Sequence, residues 1–231
     1  ARKITAKKPV IILKSGRTEA GKKAVSSHTA SLAGNDIIYD AAFKQAGIIR
    51  ARNNDHMFGL VRAFSKQPLP FRDDVLIITY SGSLGVAVAD ALSINGMKVA
   101  ELNGETRKQL REILPPYVGC NNPVDYAFDM NAAQVRKTIE IGLRCQDIGN
   151  FIVILQAEIL DTYVKELKKI DFQGKPILSC VPCKEFAMDE VIAMEQAGFP
   201  VYSTPEEAVE VLATMYCYAM KQRQSQGKGK H

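Results

Sequence analysis

Val75-Leu76-Ile77-Ile78-Thr79-Tyr80-Ser81-Gly82-Ser83-Leu84-Gly85-Val86 takes the chain from an apolar run into a serine- and glycine-bearing turn and on into a helix. Four consecutive apolar residues before Thr79 read as a strand buried on both faces, the signature of a parallel sheet. The helix expected from Val86 to Ser93 is ended by Gly96. A turn between a buried strand and a helix leaves backbone N–H groups pointing outward, where the helix dipole adds partial positive charge. Ser81, Gly82, Ser83 and Gly85 are therefore candidate anion ligands, for phosphate most naturally. No Gly-Lys-Ser/Thr follows, so this is not a Walker loop, and the glycines are too few for the dinucleotide fingerprint.

The same alternation continues downstream. Strands are expected at 99–102, 151–155, 177–181 and 201–202, and helices at 106–114, 131–144, 161–169, 188–197 and from Thr204 to about Gln222. Thr204-Pro205-Glu206-Glu207 is a helix start, with a cap, proline at the first position and acids in the first turn. Asn121-Asn122-Pro123-Val124-Asp125 reads as a turn that presents an acid. The order predicts an α/β fold of flavodoxin-like, doubly wound parallel sheets, whose ligands sit beyond the carboxyl ends of the strands.

Upstream, Gln67-Pro68-Leu69-Pro70 is a stiff connector and the expected domain boundary. It divides a partial domain at 1–70 from a complete one at 71–223, with 224–231 expected as a disordered tail. In the first part, the strand Val10–Leu13 leads into a stretch of about twenty small, polar or basic residues, read as a loop, and a helix from Asn35 to Ala46 stops at Gly47. The stretch holds His28, an imidazole that can gain and lose a group near neutral pH. His56 is expected at the surface, at the start of a helix capped by Asp55.

Lys and Arg number 30 against 25 Asp and Glu, a formal charge of +5, and the basic residues are scattered. The densest basic patches, at the two ends, read as solvated tails, so no nucleic-acid partner is expected. The mild excess is compatible with anionic ligands such as phosphate or CoA without singling them out. Five cysteines with irregular spacing point to free thiols in a reducing, cytoplasmic setting. Cys180-Val-Pro-Cys183 has no second Cys/His pair, and no metal site is expected. No run approaches the length of a membrane span, and residues 1–5 lack an apolar leader core.

Lys14-Ser-Gly-Arg-Thr-Glu-Ala-Gly21, then Ser26-Ser-His-Thr-Ala-Ser-Leu-Ala-Gly34, then Tyr39-Asp-Ala-Ala-Phe-Lys-Gln-Ala-Gly47, resembles the phosphohistidine segment of the NDP-forming acyl-CoA synthetases. These include the ADP-forming acetate–CoA ligases and succinyl-CoA synthetase. Asn122-Pro-Val-Asp125 and Gly198-Phe-Pro-Val-Tyr202 with Thr204-Pro-Glu-Glu-Ala-Val209 follow in that family's order, and the likeness runs from about Ala6 to Tyr218. It implies that His28 carries a phosphoryl group, with Gly16, Ser27 and Thr29 as the supporting loop. It also implies that the Ser81–Gly85 turn helps hold that group. The family more often has an Asn-Ala-Gly-Gly-Pro-Gly-like turn, from which Tyr80–Gly85 departs.

The resemblance further implies interconversion of acyl-CoA, ADP and phosphate with carboxylic acid, CoA and ATP. Mg2+, ATP/ADP and CoA are implied as cofactors, bound mostly by regions this sequence lacks. A CoA-binding domain and an ATP-grasp subunit or domains are the implied partners, in an oligomer with small-molecule substrates; this part alone is expected to be inactive. The alternative is a non-catalytic synthetase-like regulatory or binding module, as in protein acetyltransferases.

Overall fold

The computed structural model describes residues 1–29 and 34–227, with the backbone alone at 28, 29 and 225–227. The chain forms two compact units, residues 1–61 with 220–231, and residues 62–219.

In the first unit a short helix α1 (Arg2–Thr5) precedes strand β1 (Ile11–Leu13), helices α2 (Glu19–Thr29) and α3 (Asp36–Ala46), and strand β2 (Ile49–Ala51). β1 and β2 pair in parallel, with Ile11 opposite Ile49 and Leu13 opposite Ala51. Asn35 caps α3 by accepting the N–H of Ile37, and Gly47 ends it in the left-handed conformation at φ 69°. Helix α3 buries no residue, and its Ile37 and Ile38 are 76% and 67% exposed. Helix α4 (Asn54–Lys66) leads out of this unit.

The second unit alternates strand and helix. β3 (Asp74–Thr79) is followed by α5 (Gly82–Ile94), β4 (Lys98–Val99), α6 (Gly104–Ile113), β5 (Val124–Asp125), α7 (Ala132–Arg144) and β6 (Asn150–Ile154). Then come α8 (Leu160–Leu167), β7 (Ile177–Cys180), α9 (Met188–Gln196), β8 (Val201–Tyr202) and α10 (Pro205–Gly227). The sheet is parallel throughout, in the order β4-β3-β6-β7-β8, with β5 also on β3. The chain thus steps from β3 to one side, returns, and proceeds to the other. This is the flavodoxin-like winding, with its switch point between β3 and β6.

Leu76 and Ile78 of β3 and Phe151 and Val153 of β6 join one core cluster with Leu110, Val135, Ile139, Val164 and Met194 from α6 to α9. The alternate residues Ile77, Ile152 and Ile154 are equally buried and point to the other face. There α5 packs on β3 with Val88 and Leu92 fully buried. Full burial on both faces is why these strands read as unbroken apolar runs. Each large side chain so removed from water contributes about 1.5–3 kcal/mol.

The edge of β3 opposite β6 is covered in two pieces. β4 pairs with Asp74 and Val75, and β5 pairs with Ile78 and Thr79. Between them the Asn122 side chain accepts the N–H of Ile77 at 2.9 Å and donates to the carbonyls of Val75 (2.8 Å) and Ala100 (3.0 Å). One amide side chain thus replaces the missing stretch of strand.

Several expectations need correction. The stretch after β1 is not a loop throughout, because Glu19–Thr29 is helical. His56 is buried, at 7% exposure, with Nδ1 accepting the N–H of Arg52. Residues 224–227, expected to be disordered, continue α10, while 228–231 lie outside the described residues. Gln67, in the proline connector, donates to the Gly198 carbonyl and accepts the N–H of Ile177.

Candidate functional site

Two places carry the residues singled out in the sequence, one in each unit. In the first, β1 ends at Leu13 and the backbone turns at Gly16, φ 77°. A side chain at Gly21 would meet the Gly16 Cα at 3.2 Å, so the first turn of α2 rests directly on the incoming loop. Thr18 Oγ1 accepts the Gly21 N–H at 3.1 Å, and Glu19 stands at the positive end of the helix. Ser27 is exposed and donates to the Ala24 carbonyl at 2.9 Å. His28 and Thr29 are the last two residues of α2. Their side chains, and Ala30–Ala33 of the quoted motif, lie outside the described parts.

The loop before α2 is held by charge. Arg17 Nε lies 3.2 Å from Asp36, and Arg50 engages both Asp36 and Asp40. The Arg50 hydrogen bond holds the Asp36 carboxyl below the ordinary range, helped by Arg17, and Asp36 in turn raises Arg50. Lys14 Nζ sits 4.6 Å above the Tyr39 ring. These contacts tie residues 14–17 to α3 on the N-terminal side of the histidine helix.

In the second unit, Ser81 stands at the N-cap of α5 in extended conformation, with no hydrogen bond from its side chain to the helix backbone. Its Oγ is 3.1 Å from Ser83 Oγ, and its N–H donates to Thr79 Oγ1 at 2.9 Å. The first intrahelical bond runs from the Gly85 N–H to the Ser81 carbonyl, so the N–H groups of Gly82, Ser83 and Leu84 have no intrahelical acceptor. Gly82 and Ser83 are exposed. Gly85 is buried, and a Cβ there would lie 3.0 Å from Thr79 Cγ2 and 3.3 Å from Pro123. The arrangement is a helix start at the carboxyl end of β3, beside the switch point, open to an anion.

One neighbour escaped the sequence reading. A Cβ on Gly82 would come within 2.8 Å of Asp125 Oδ2, so a carboxylate flanks the helix start. Asp125 Oδ1 also accepts the Ala127 N–H at 3.0 Å. The sequence offered only a turn-forming Asn-Pro-Val-Asp; its contact with Gly82, more than forty residues back, depends on β5 pairing with β3. The Cys180 thiol is fully buried and pushed up to about 12 by that burial, which suits core packing rather than redox or metal chemistry. Among the described residues no group of three His, Cys, Asp or Glu could hold a metal ion. None of their helices is long and apolar enough to cross a membrane.

The fold and its helix-start site define a two-unit α/β protein of flavodoxin-like winding, open to an anion beyond β3. Residues 1–64 match the model of the succinyl-CoA ligase like flavodoxin domain, and residues 75–223 match the Ligase-CoA domain. The chain belongs to the NDP-forming acyl-CoA synthetase family. It is 36% identical over 230 residues to ADP-forming acetate–CoA ligase II of Archaeoglobus fulgidus, covering 96% of this chain and 34% of the relative. It is also 36% identical over 216 residues to the alpha subunit of the Pyrococcus furiosus ligase II, covering 90% of this chain and 47% of the subunit. An acetyl-coenzyme A synthetase of Ca. Korarchaeum cryptofilum, solved with phosphate and ADP, superposes with a TM-score of 0.84 at 25% identity, over 100% of this chain and 51% of that one. The chain thus spans a third to a half of the length of these relatives.

Proposed function

We propose that the chain is the phosphohistidine-bearing part of an ADP-forming acyl-CoA synthetase. The observation that carries this reading is the position of His28, at the end of α2 in the unit that matches the succinyl-CoA ligase like domain. The proposed catalytic residue is His28, and the proposed phosphate-binding residues are Ser81, Gly82, Ser83 and Gly85. Gly16, Ser27 and Thr29 support the histidine, and the domain boundary is placed near residue 70.

The chemistry follows from what an imidazole can do. Phosphate displaces CoA from acyl-CoA, giving acyl phosphate and CoA. A neutral imidazole nitrogen of His28 then attacks phosphorus, the P–O bond to the acyl group breaks, and the carboxylate leaves. In the second transfer an ADP oxygen attacks the same phosphorus, the P–N bond breaks, and ATP forms with free imidazole. Imidazole is both nucleophile and leaving group near neutral pH, as a two-step shuttle requires. The outward N–H groups at the start of α5, with the Ser81 and Ser83 hydroxyls, supply preorganised donors for a dianionic phosphoryl group. CoA, ADP and the metal are assigned to partner domains or subunits of the complete enzyme, and the setting to the cytoplasm.

The reading is tested in the complete enzyme by intact mass after incubation with ATP and Mg2+. One acid-labile phosphoryl group on the peptide holding His28 is expected, and His28→Ala should lose both the adduct and turnover with folding intact. Turnover by the His28→Ala enzyme would falsify the proposal. Effector binding without any adduct would favour a regulatory module.

A further inference from the structure

One cleft in the second unit lies at the end of the sheet away from the proposed chemistry. It has a volume of about 540 Å³, against about 240 Å³ for the cleft beside Tyr80 at the carboxyl ends of the strands. Its walls come from the segments that enter β3, β6 and β7 and from the end of α7: Phe71 and Arg72, Gly149, Gly174 and Lys175, and Arg144. Nothing in the phosphohistidine chemistry uses it, and the size falls in the range of small-molecule sites.

We propose that this cleft binds a nucleoside phosphate, with the base on Phe71 and the phosphate between Arg144 and Lys175. Phe71 is 73% exposed at the rim and gives a flat base something to stack on. The cations differ in how far they are already committed. Arg72 is engaged by Asp74 at 2.8 Å and lies 4.0 Å from Asp147. Arg144 donates only through Nε, to the Glu140 carbonyl at 3.2 Å, and its two terminal nitrogens have no partner among the described residues. Lys175 Nζ donates to the carbonyls of Leu143 (2.9 Å) and Cys145 (3.0 Å), which fixes the ammonium at the cleft wall with a third proton left to donate. Gly174, with open space where a Cβ would stand, puts bare backbone in the lining, where a ligand can approach closely, while Gly149 packs on Arg72. Asp74, Asp147 and Asp73 all act on Arg72, leaving the Arg144–Lys175 side for the anion.

The site is independent of His28, and its test uses the 231-residue chain itself. Amide resonances of 15N-labelled protein are followed during titration with AMP, adenosine and inorganic phosphate. AMP is expected to shift Arg144, Gly149, Gly174 and Lys175, and to bind more tightly than adenosine or phosphate. Arg144→Ala should weaken AMP about tenfold, the scale of a charge-assisted hydrogen bond. Phe71→Ala should weaken it several-fold. Both altered residues are exposed, and an unchanged melting temperature checks that each variant folds. Shifts confined to Ser81–Gly85, or phosphate shifting Arg144 and Lys175 at the same concentrations as AMP, or no shift at Gly149 and Gly174 would overturn the assignment.

Discussion

Gly82 and Gly85 keep the start of α5 accessible in different ways. At Gly85 the constraint is packing, because a methyl group would press on Thr79 and Pro123 behind the turn. Gly85→Ala should therefore lower stability by about 1–3 kcal/mol, measured by urea unfolding. At Gly82 the neighbour is a charge. Asp125 places a carboxylate beside the group of N–H donors, where it opposes any bound anion. Asp125→Asn keeps the size, and should tighten phosphate binding to the chain several-fold, as read by 31P NMR; unchanged or weaker binding would show that the carboxylate does not act on the site. The thiols give a third test. Cys183 and Cys217 are exposed, whereas Cys180 is buried with its thiol pushed up to about 12. Brief iodoacetamide treatment at pH 8 should modify Cys183 and Cys217 and leave Cys180 unmodified, as read by peptide mass.

At the scale of elements, what was legible in the sequence divides by the range of the interaction. Val75–Gly85 could be read because strand, turn and helix are all encoded within a dozen residues. α2 was missed because none of its described side chains, at 19–27, is buried: its small and charged residues have the pattern of a loop. Thr18 followed by Glu19 was the available signal, a cap and an acid at a helix start. His56 was misplaced because its surroundings come from tertiary packing, although Asn53 accepting its N–H marks the same helix start. Asn122 could not have been found locally, since its partners Val75 and Ile77 lie 47 and 45 residues away. Asn122→Ala strips three hydrogen bonds from that junction and should cost about 2–4 kcal/mol, with the amides of Ile77 and Ala100 losing protection from exchange first.

For the whole molecule, the two units should differ in resilience. The second has a continuous core, while the first has a two-stranded sheet and an α3 with no buried residue. Amides of β1 and β2 should exchange with deuterium well before those of β3 and β6, and equal rates would contradict this reading. Alkali gives a test of the second unit. Tyr126 is fully buried, its hydroxyl is 2.8 Å from Thr138 Oγ1, and burial pushes its pKa up to about 12. Between pH 10 and 12 the unfolded chain gives up this proton while the folded one keeps it, so stability must fall as pH rises through that window. Tyr126→Phe should flatten the slope in a series of urea unfolding curves.

The Asn122 junction also bears on how the molecule behaves in company. An uninterrupted sheet edge is a template on which another chain can add a strand. Here the β3 side is closed by two-residue strands on either side of an asparagine, and the opposite margin, β8, is two residues long as well. Neither margin offers the run of paired donors and acceptors that fibrillar stacking needs, so the second unit carries protection against edge-to-edge aggregation in its own topology.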